Sequence, residues 1–191
     1  MIAALVLAAG LARRMGRQKL LLQLQGKPVV RWAVERLSGH VEDVVVVTGA
    51  DDTALREALA DLAVRFVVNP RPQDGQGSSI AVGVTGLKPW TRAAIIALGD
   101  QPRVPDAVPR ALIEAFNRSG KSIVTPVYRG VQGTPVLFSA DVFGELRALT
   151  GDAGARAVVK ARPERVEAVA FDLVMPPDVD TPEDYAKLHV Q

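Results

Sequence analysis

The sequence predicts an open, three-layer α/β fold with a mostly parallel sheet. Short, continuous apolar runs alternate along the chain with segments of helical periodicity, and such runs are typical of strands buried on both faces. This alternation favours parallel pairing with right-handed crossovers. The 191 residues are 48% hydrophobic but only 5% aromatic, so Ala, Val and Leu must pack most of the core. We therefore expect a single domain over residues 1–191 with helices on both faces of the sheet.

Each expected element rests on its local pattern. Residues 2–7 form an uninterrupted apolar run of strand length, whereas residues 29–37 have apolar positions at helical spacing after Pro28. The same criteria predict further strands at residues 44–47, 64–68, 93–98, 123–127, 136–138 and 166–169. They predict further helices at residues 51–62, 79–87, 108–118, 142–149, 155–161 and 182–189.

Composition excludes several classes of function. The chain has no cysteine, which rules out disulfides, thiolate metal sites and a cysteine nucleophile. Its formal net charge of +2 gives no indication of a general nucleic-acid surface. The apolar run after Met1 has no basic leader and is too short to span a bilayer. We therefore expect a cytoplasmic protein that binds neither nucleic acid nor membrane.

The most informative segment follows the first predicted strand. Residues 8–10 have minimal side chains, so their backbone N–H groups can approach phosphate oxygens closely. Four cations then fall within residues 13–19 with no acid among them, and Arg14 and Lys19 are the two that we expect to bind phosphate. The glycine spacing fits neither a P-loop nor Gly-x-Gly-x-x-Gly. The segment indicates a binding site for a polyanion such as a nucleoside triphosphate.

Two acidic segments predict a metal site at the same edge of the sheet. Asp100 follows the strand predicted at residues 93–98, and Asp180 lies just before a Thr-Pro helix start. Ligands of open α/β sheets bind beyond the carboxyl ends of the strands, and carboxylate oxygens suit Mg²⁺. The alternatives are a turn role for Asp100 and a capping role for Asp180. We expect both carboxylates to hold Mg²⁺ opposite the cationic segment.

Two turns rich in small residues are candidates for substrate contacts. Asn69 and residues 75–79 follow the third strand, where hydroxyls and backbone amides could contact a base or ribose. Residues 151–156 could form an anion-binding turn at a helix N-terminus. Each turn could equally be an ordinary helix cap, and the local pattern leaves this open.

These motifs together resemble a known family. Residues 7–21 are similar to the signature loop of nucleotidyltransferases that activate small phosphorylated molecules. Later motifs are similar to the molybdenum cofactor cytidylyltransferase branch of the molybdopterin nucleotidyltransferase (NTP-transferase-like) family. In chain order these are Gly26-Lys27-Pro28, Gly77-Ser78-Ser79, Gly99-Asp100-Gln101-Pro102, Pro135-Val136-Leu137-Phe138, Gly151-Asp152-x-Gly154-Ala155-Arg156 and Asp178-x-Asp180-Thr181-Pro182-Glu183-Asp184. The family often has Gly-His-Pro where this chain has Gly133-Thr134-Pro135, which leaves the acceptor open.

The resemblance implies a fold and a reaction. The fold would be a Rossmann-like sheet of the nucleotide-diphospho-sugar transferase type. The reaction would be Mg²⁺-dependent transfer of CMP from CTP to a molybdopterin-type phosphate, with release of pyrophosphate. Lys19 would stabilise charge at the α-phosphate, Arg14 would stabilise the departing pyrophosphate, and Asp100 with Asp180 would hold the metal. A molybdoenzyme would receive the product.

The candidate site residues fall into three groups. Those expected to be catalytic are Lys19, Arg14 and Asp100. Those expected to bind the nucleotide are Leu7, Ala8, Ala9, Gly10, Arg14, Lys19, Asn69, Ser78, Ser79 and Asp100. Those expected to bind the acceptor are Thr134, Gly151, Gly154 and Arg156.

Other functions remain compatible with the sequence. The same chemistry could use GTP with molybdopterin, or CTP with another small phosphate acceptor. A hypothesis of a different class is a non-catalytic protein that binds or delivers a cofactor while keeping the fold. The presence of Arg14, Lys19, Asp100 and Asp180 argues against this last hypothesis, because a delivery protein does not need them.

Overall fold

A mixed sheet with helices on both faces forms the frame of the molecule. The computed structural model describes residues 1–10 and 18–188. The strands are β1 (Ile2–Ala8), β2 (Gln23–Leu24), β3 (Lys27–Pro28), β4 (Asp43–Thr48), β5 (Arg65–Val68), β6 (Ala93–Leu98), β7 (Ile123–Tyr128), β8 (Val131–Gln132), β9 (Val136–Ser139) and β10 (Val166–Phe171). The helices are α1 (Val29–Ser38), α2 (Thr53–Ala58), α3 (Gln76–Thr85), α4 (Ala107–Ser119), α5 (Phe143–Arg147), α6 (Arg156–Ala161) and α7 (Pro182–Lys187).

The sheet is mostly parallel, as the sequence predicts. Its order is β10-β7-β9-β6-β1-β4-β5, and β8 adds to β7. Strands β5, β4, β1 and β6 pair in parallel, and so do β7 and β10. Strand β9 runs antiparallel to both β6 and β7, and β8 runs antiparallel to β7. The α/β fold class is therefore confirmed, with two antiparallel strands in one half of the sheet.

Burial of β1 on both faces explains its continuous apolar sequence. Ala4 and Val6 pack in one cluster with side chains of α1, α2 and α4. Leu5 lies on the opposite face in a second cluster with side chains of α3, α5 and α6. Successive strand residues point to opposite faces, so a strand between two helical layers must be apolar at every position. This arrangement makes the three layers that the sequence predicts.

Several helix boundaries differ from the prediction. Helix α2 covers Thr53–Ala58 rather than 51–62, and α3 begins at Gln76 rather than at residue 79. The last helix, predicted to reach residue 189, ends at Lys187 within the described residues. The hairpin of β2 and β3 was not predicted at all. None of the helices in the described part of the chain combines the length and hydropathy needed to cross a membrane.

The neighbouring strands β1 and β6 bring Ala9 and Asp100 together at one edge of the sheet. Leu7 pairs with Leu98, so both strands end side by side. The Gly99 N–H then donates to the Leu7 carbonyl at 2.9 Å, and a Cβ at Gly99 would lie 2.9 Å from the same oxygen. A side chain at this position would crowd the backbone of β1, so glycine permits the close approach. Asp100 consequently lines the same cavity as Ala9 and Gly10, the two residues directly after β1.

Candidate functional site

The centre of the site is a lysine between two carboxylates. Lys19 Nζ donates to Asp100 Oδ2 at 2.5 Å and to Asp180 Oδ1 at 2.7 Å. The Lys19 and Asp100 side chains are only 14% and 18% exposed, whereas Asp180 is about half exposed. Burial disfavours the charged lysine, but the charges and hydrogen bonds of Asp100 and Asp180 outweigh it and raise the pKa of Lys19. The ammonium is therefore charged at neutral pH.

Three local structures hold this cluster in place. Lys19 begins a short 3₁₀ turn, Lys19–Leu21, which buries the side chain of Leu20 in the core. Asp100 follows Gly99, the first residue after β6. The Val179 N–H donates to the Asp100 carbonyl at 3.0 Å, and the Val179 side chain is fully buried. The buried Leu20 and Val179 fix the backbone next to Lys19 and Asp180. Core packing, and not only the ion pairs, therefore holds the three charged groups together.

A first cavity of about 200 Å³ opens beside Lys19 and Asp100. Ala9 and Gly10 lie on one side of it, and Gly75 and Ser79 lie near the start of α3. Small side chains on both sides leave backbone groups accessible, as a phosphate chain requires. We call this space the nucleotide cavity.

A second cavity of about 240 Å³ shares Leu7, Gln76 and Leu98 with the first. Its walls are largely apolar, and they carry a few polar groups, among them Gln101, Thr134, Arg156 and Asp178. An apolar space with few convergent polar groups is typical of a site for a small organic molecule. We call it the acceptor cavity. The shared walls place the two spaces next to each other, at the carboxyl ends of β1 and β6.

Asn69 is tied to the two serines predicted to act with it. Its Nδ2 donates to Ser78 Oγ at 2.9 Å and to Ser79 Oγ at 3.0 Å, and its Oδ1 accepts from the Arg71 N–H. Ser78 Oγ in turn donates to the Gly75 carbonyl at 2.8 Å. These contacts connect the end of β5 to the start of α3. Of the three residues, only Ser79 lies on the wall of the nucleotide cavity.

The two metal-ligand candidates fit a divalent cation in chemistry and position. Asp100 and Asp180 bring two hard oxygen donors close together, but Lys19 Nζ occupies the point on which they converge, so a divalent cation would bind beside it at their remaining lone pairs. Within residues 1–10 and 18–188 no group of three or more His, Cys, Asp or Glu side chains is close enough to enclose a metal. A metal here would therefore need further ligands from the substrate phosphates. Such partial coordination is usual for Mg²⁺.

The structure brings together most of the predicted site residues. The nucleotide cavity is lined by Leu7, Ala9, Gly10, Lys19, Ser79 and Asp100. The acceptor cavity is lined by Thr134, Gly154 and Arg156. Ala8 instead packs in the core, and Gly151 supports the turn at Gly75 rather than lining a cavity. Arg14 lies outside the described residues, as do the other arginines of the first loop.

Two polar residues of the acceptor cavity were not predicted as site residues. Gln101 is buried and donates through Nε2 to Asp178 Oδ1 at 2.6 Å. Asp178 has a raised pKa, because its carboxyl group is partly buried and lies near the negative charge of Asp100. Both residues belong to the sequence motifs that contain Asp100 and Asp180. Only those two were predicted as site residues, because a carboxylate near a strand end or a helix start is a recognisable metal ligand.

Gly75 has no room for a side chain, and we predict that Gly75→Ala destabilises the protein. Gly75 has φ +90°, and a Cβ there would overlap the Gly151 carbonyl group. We expect the free energy of unfolding to fall by about 1–3 kcal/mol, measured by urea denaturation. Nucleotide affinity should fall too, because the turn forms a wall of the nucleotide cavity.

The matched control is Gly144→Ala in α5. No atom lies within 4 Å of the Cβ that would be added there, and φ is not in the left-handed region. Alanine is a better helix former than glycine by about 0.5–1 kcal/mol, so this variant should be as stable as the parent or more so. A Gly75→Ala protein that matched the parent in stability would contradict the structural role of Gly75.

Comparison with known proteins places this geometry in a family. The MobA-like NTP transferase domain matches residues 4–166. The purine catabolism protein PucB of Bacillus subtilis is 30% identical over 94% of this chain and 91% of its own length. The nicotine blue oxidoreductase of Paenarthrobacter nicotinovorans is 31% identical over 98% and 96%. A probable molybdenum cofactor guanylyltransferase of Methanothermobacter thermautotrophicus is 31% identical over 75% and 74%.

Solved structures agree with the sequence matches. Rv0371c of Mycobacterium tuberculosis is 30% identical, superposes with a TM-score of 0.89 and aligns over 100% of this chain and 97% of its own. The same mycobacterial protein has been solved in complex with manganese, at a TM-score of 0.85. The names of the relatives differ, so likeness alone leaves the exact reaction open. Since the family match extends over residues 4–166, and PucB and the nicotine blue oxidoreductase align over 91% and 96% of their lengths, this chain belongs to the MobA-like NTP transferase family, and nucleotidyltransferase activity is supported.

Proposed function

We propose that this protein transfers CMP from CTP to the phosphate of a molybdopterin-type acceptor and releases pyrophosphate. The observation that carries the proposal is the Lys19, Asp100 and Asp180 cluster at the junction of two adjacent cavities. Nucleotidyl transfer brings an acceptor phosphate against an α-phosphate, so the site must manage several negative charges at once. A cation between two carboxylates, with a cavity for each substrate, suits that task.

The proposal assigns a magnesium ion to Asp100 and Asp180. Bound Mg²⁺ would supply charge neutralisation to the phosphates. The donor set supports this assignment, because two carboxylates lie close together around one ammonium and keep lone pairs that can bind a divalent cation. The manganese complex of Rv0371c supports a divalent cation in a structurally similar protein.

The remaining tasks fall to the chain itself. Lys19 carries a fixed positive charge, and its low exposure strengthens its attraction for phosphate oxygens. The backbone at Ala9 and Gly10 lines the nucleotide cavity without obstructing side chains. The acceptor cavity holds the acceptor's ring system against its apolar walls. No side-chain nucleophile is needed, since the acceptor phosphate attacks directly and catalysis consists of positioning and charge stabilisation.

The choice of nucleotide is tested by thermal unfolding with CTP, GTP, ATP and UTP, each with Mg²⁺. Of the four nucleotides, we expect only CTP to raise the unfolding temperature. A ligand at a hundred times its dissociation constant stabilises the native state by about 2.7 kcal/mol, which is enough to detect. A rise with GTP alone would overturn the cytidylyl assignment. It would favour guanylyl transfer, the activity in the name of the Methanothermobacter relative.

Release of pyrophosphate tests the reaction class. Incubation with CTP, Mg²⁺ and molybdopterin should produce one pyrophosphate per molybdopterin converted. Absence of pyrophosphate with every nucleotide would overturn the transferase proposal. That result would leave a binding or delivery protein, or a reaction such as the one in the name of the nicotine blue oxidoreductase. A molybdoenzyme is the proposed recipient of the product.

A further inference from the structure

Three side chains form a hydrogen-bonded chain along the wall of the acceptor cavity. Thr134 Oγ1 donates to Gln101 Oε1 at 2.5 Å, and Gln101 Nε2 donates to Asp178 Oδ1 at 2.6 Å. All three residues line the cavity, and Gln101 is almost fully buried. This series of hydrogen bonds therefore connects Thr134 to the acidic segment that also contains Asp180.

The orientation of the Gln101 amide sets the direction of these hydrogen bonds. An amide nitrogen can only donate, and it donates to Asp178. The amide oxygen then faces Thr134, and the threonine hydroxyl must donate its one proton to it. Since Thr134 lines the cavity, its Oγ1 can then offer a ligand only lone pairs.

The backbone around Thr134 is held as firmly as its side chain. Tyr128 donates its hydroxyl to the Thr134 carbonyl at 2.8 Å, and the Tyr128 residue is buried. The Thr134 carbonyl is thus already engaged. The hydroxyl oxygen is consequently a preorganised acceptor in a fixed position, rather than a group that can rotate to suit any ligand.

We infer that Thr134, oriented by Gln101 and Asp178, selects an acceptor molecule whose ring presents an N–H or NH₂ group to it. This rests on the proposed function, which assigns the second cavity to the acceptor. Apolar walls such as Ile96, Val136 and Val159 suit a flat heterocycle, and Thr134 discriminates between its edges. A ring that presents a carbonyl or ether oxygen there is disfavoured, because two sets of lone pairs meet and the ligand oxygen loses its hydrogen bond to water.

Indole and benzofuran test this selection directly. The two rings have nearly the same shape and differ in presenting an N–H or an oxygen. Their dissociation constants can be measured by NMR titration, following the methyl signals of Thr134 and Val136. The wild-type protein should prefer indole by about threefold to tenfold, the value of one hydrogen bond.

Variants separate the orienting role of Gln101 from simple contact with Thr134. Thr134→Ser keeps the hydroxyl and should keep the preference for indole, whereas Thr134→Val should lose it. Gln101→Met keeps a side chain of similar length but frees the Thr134 hydroxyl to donate or accept. The preference should then fall towards onefold even though Thr134 is unchanged, which a purely structural role of Gln101 would not produce.

Three results would overturn the inference. They are equal or tighter binding of benzofuran by the wild type, a full preference for indole in Gln101→Met, and absence of any Thr134 shift with either ring. Pyrophosphate release, measured separately, distinguishes this failure from failure of the proposed function. Transfer activity with no ring preference refutes only the selection, whereas a ring preference without transfer activity refutes only the proposed reaction.

Discussion

Lys19→Ala should lower kcat by at least about a hundredfold while leaving the fold intact, because it removes a preorganised charge from a poorly solvated site. The ammonium contacts both Asp100 and Asp180, and its side chain is mostly shielded from water. Removing it would deprive the proposed α-phosphate position of its fixed cation and would leave two carboxylates to repel each other and the substrate. Pyrophosphate release at saturating CTP and acceptor measures the loss.

Lys27→Ala is the matched control for this variant. Lys27 also pairs with a carboxylate, Glu35, but the ammonium lies at the surface away from both cavities. A partly exposed pair contributes about 1 kcal/mol, and the contact of Lys27 with the Trp32 ring contributes a similar amount, so activity should stay near the parent value and the unfolding temperature should fall only slightly. A Lys19→Ala protein with the parent kcat and a normal unfolding temperature would remove Lys19 from the mechanism.

The raised pKa of Lys19 also predicts how stability and reaction rate depend on pH. Burial opposes the charge, but Asp100 and Asp180 raise the folded-state pKa above the unfolded value. The stabilising contribution of the pair is therefore complete below the unfolded pKa and is lost as pH rises through the folded one. The rate profile should accordingly show no lysine titration around neutral pH.

Local patterns predicted the strands better than the helix ends. The bounds of β6 match the prediction, since an apolar run buried on both faces begins and ends where burial does. Helix α2 was predicted too long because Leu59 and Leu62 keep the apolar spacing beyond Ala58. Both leucines do pack towards the core, but from turns rather than from a helix. Apolar spacing indicates which residues are buried, but it does not show whether a helix or a turn buries them.

Features that depend on distant partners were beyond the local patterns. The direction of β9 is set by β6 and β7 on either side, and nothing within Val136–Ser139 specifies it. The hairpin of β2 and β3 has only two residues in each strand, and its turn uses positive φ at Gln25 and Gly26. So short a pairing leaves no periodic signal for the sequence to reveal.

The same distinction explains which site residues were predicted. Lys19 and Asp100 follow neighbouring strands of a parallel sheet, so the general rule on strand ends brings them together. Asn69 and Ser78 have the right chemistry for a ligand, but the folded chain uses their polar groups on each other. Sequence identifies which groups can form hydrogen bonds, whereas only the folded chain decides whether their partner is the protein or a substrate.

Asp100→Asn should remove most of the activity together with its metal dependence, because the amide keeps the size of the side chain and removes its charge. Asp100, Asp180 and Lys19 carry a combined charge of −1 when all are ionised, which favours a divalent cation. The variant brings that charge to zero and replaces one carboxylate ligand. We expect kcat to fall by at least about a hundredfold and the Mg²⁺ titration of the residual rate to become flat.

Direct binding of Mn²⁺, followed by electron paramagnetic resonance, provides a readout independent of activity. Asp100→Asn should weaken Mn²⁺ binding, whereas the exposed Asp106→Asn, which only loses a contact with His40, should not. Lys19→Ala should strengthen Mn²⁺ binding, since it leaves two carboxylates with no internal cation, even though it destroys catalysis. Opposite changes in metal affinity with the same loss of turnover would separate the roles of the two residues. Mg²⁺-stimulated activity in Asp100→Asn would refute the assignment of Asp100 as a metal ligand.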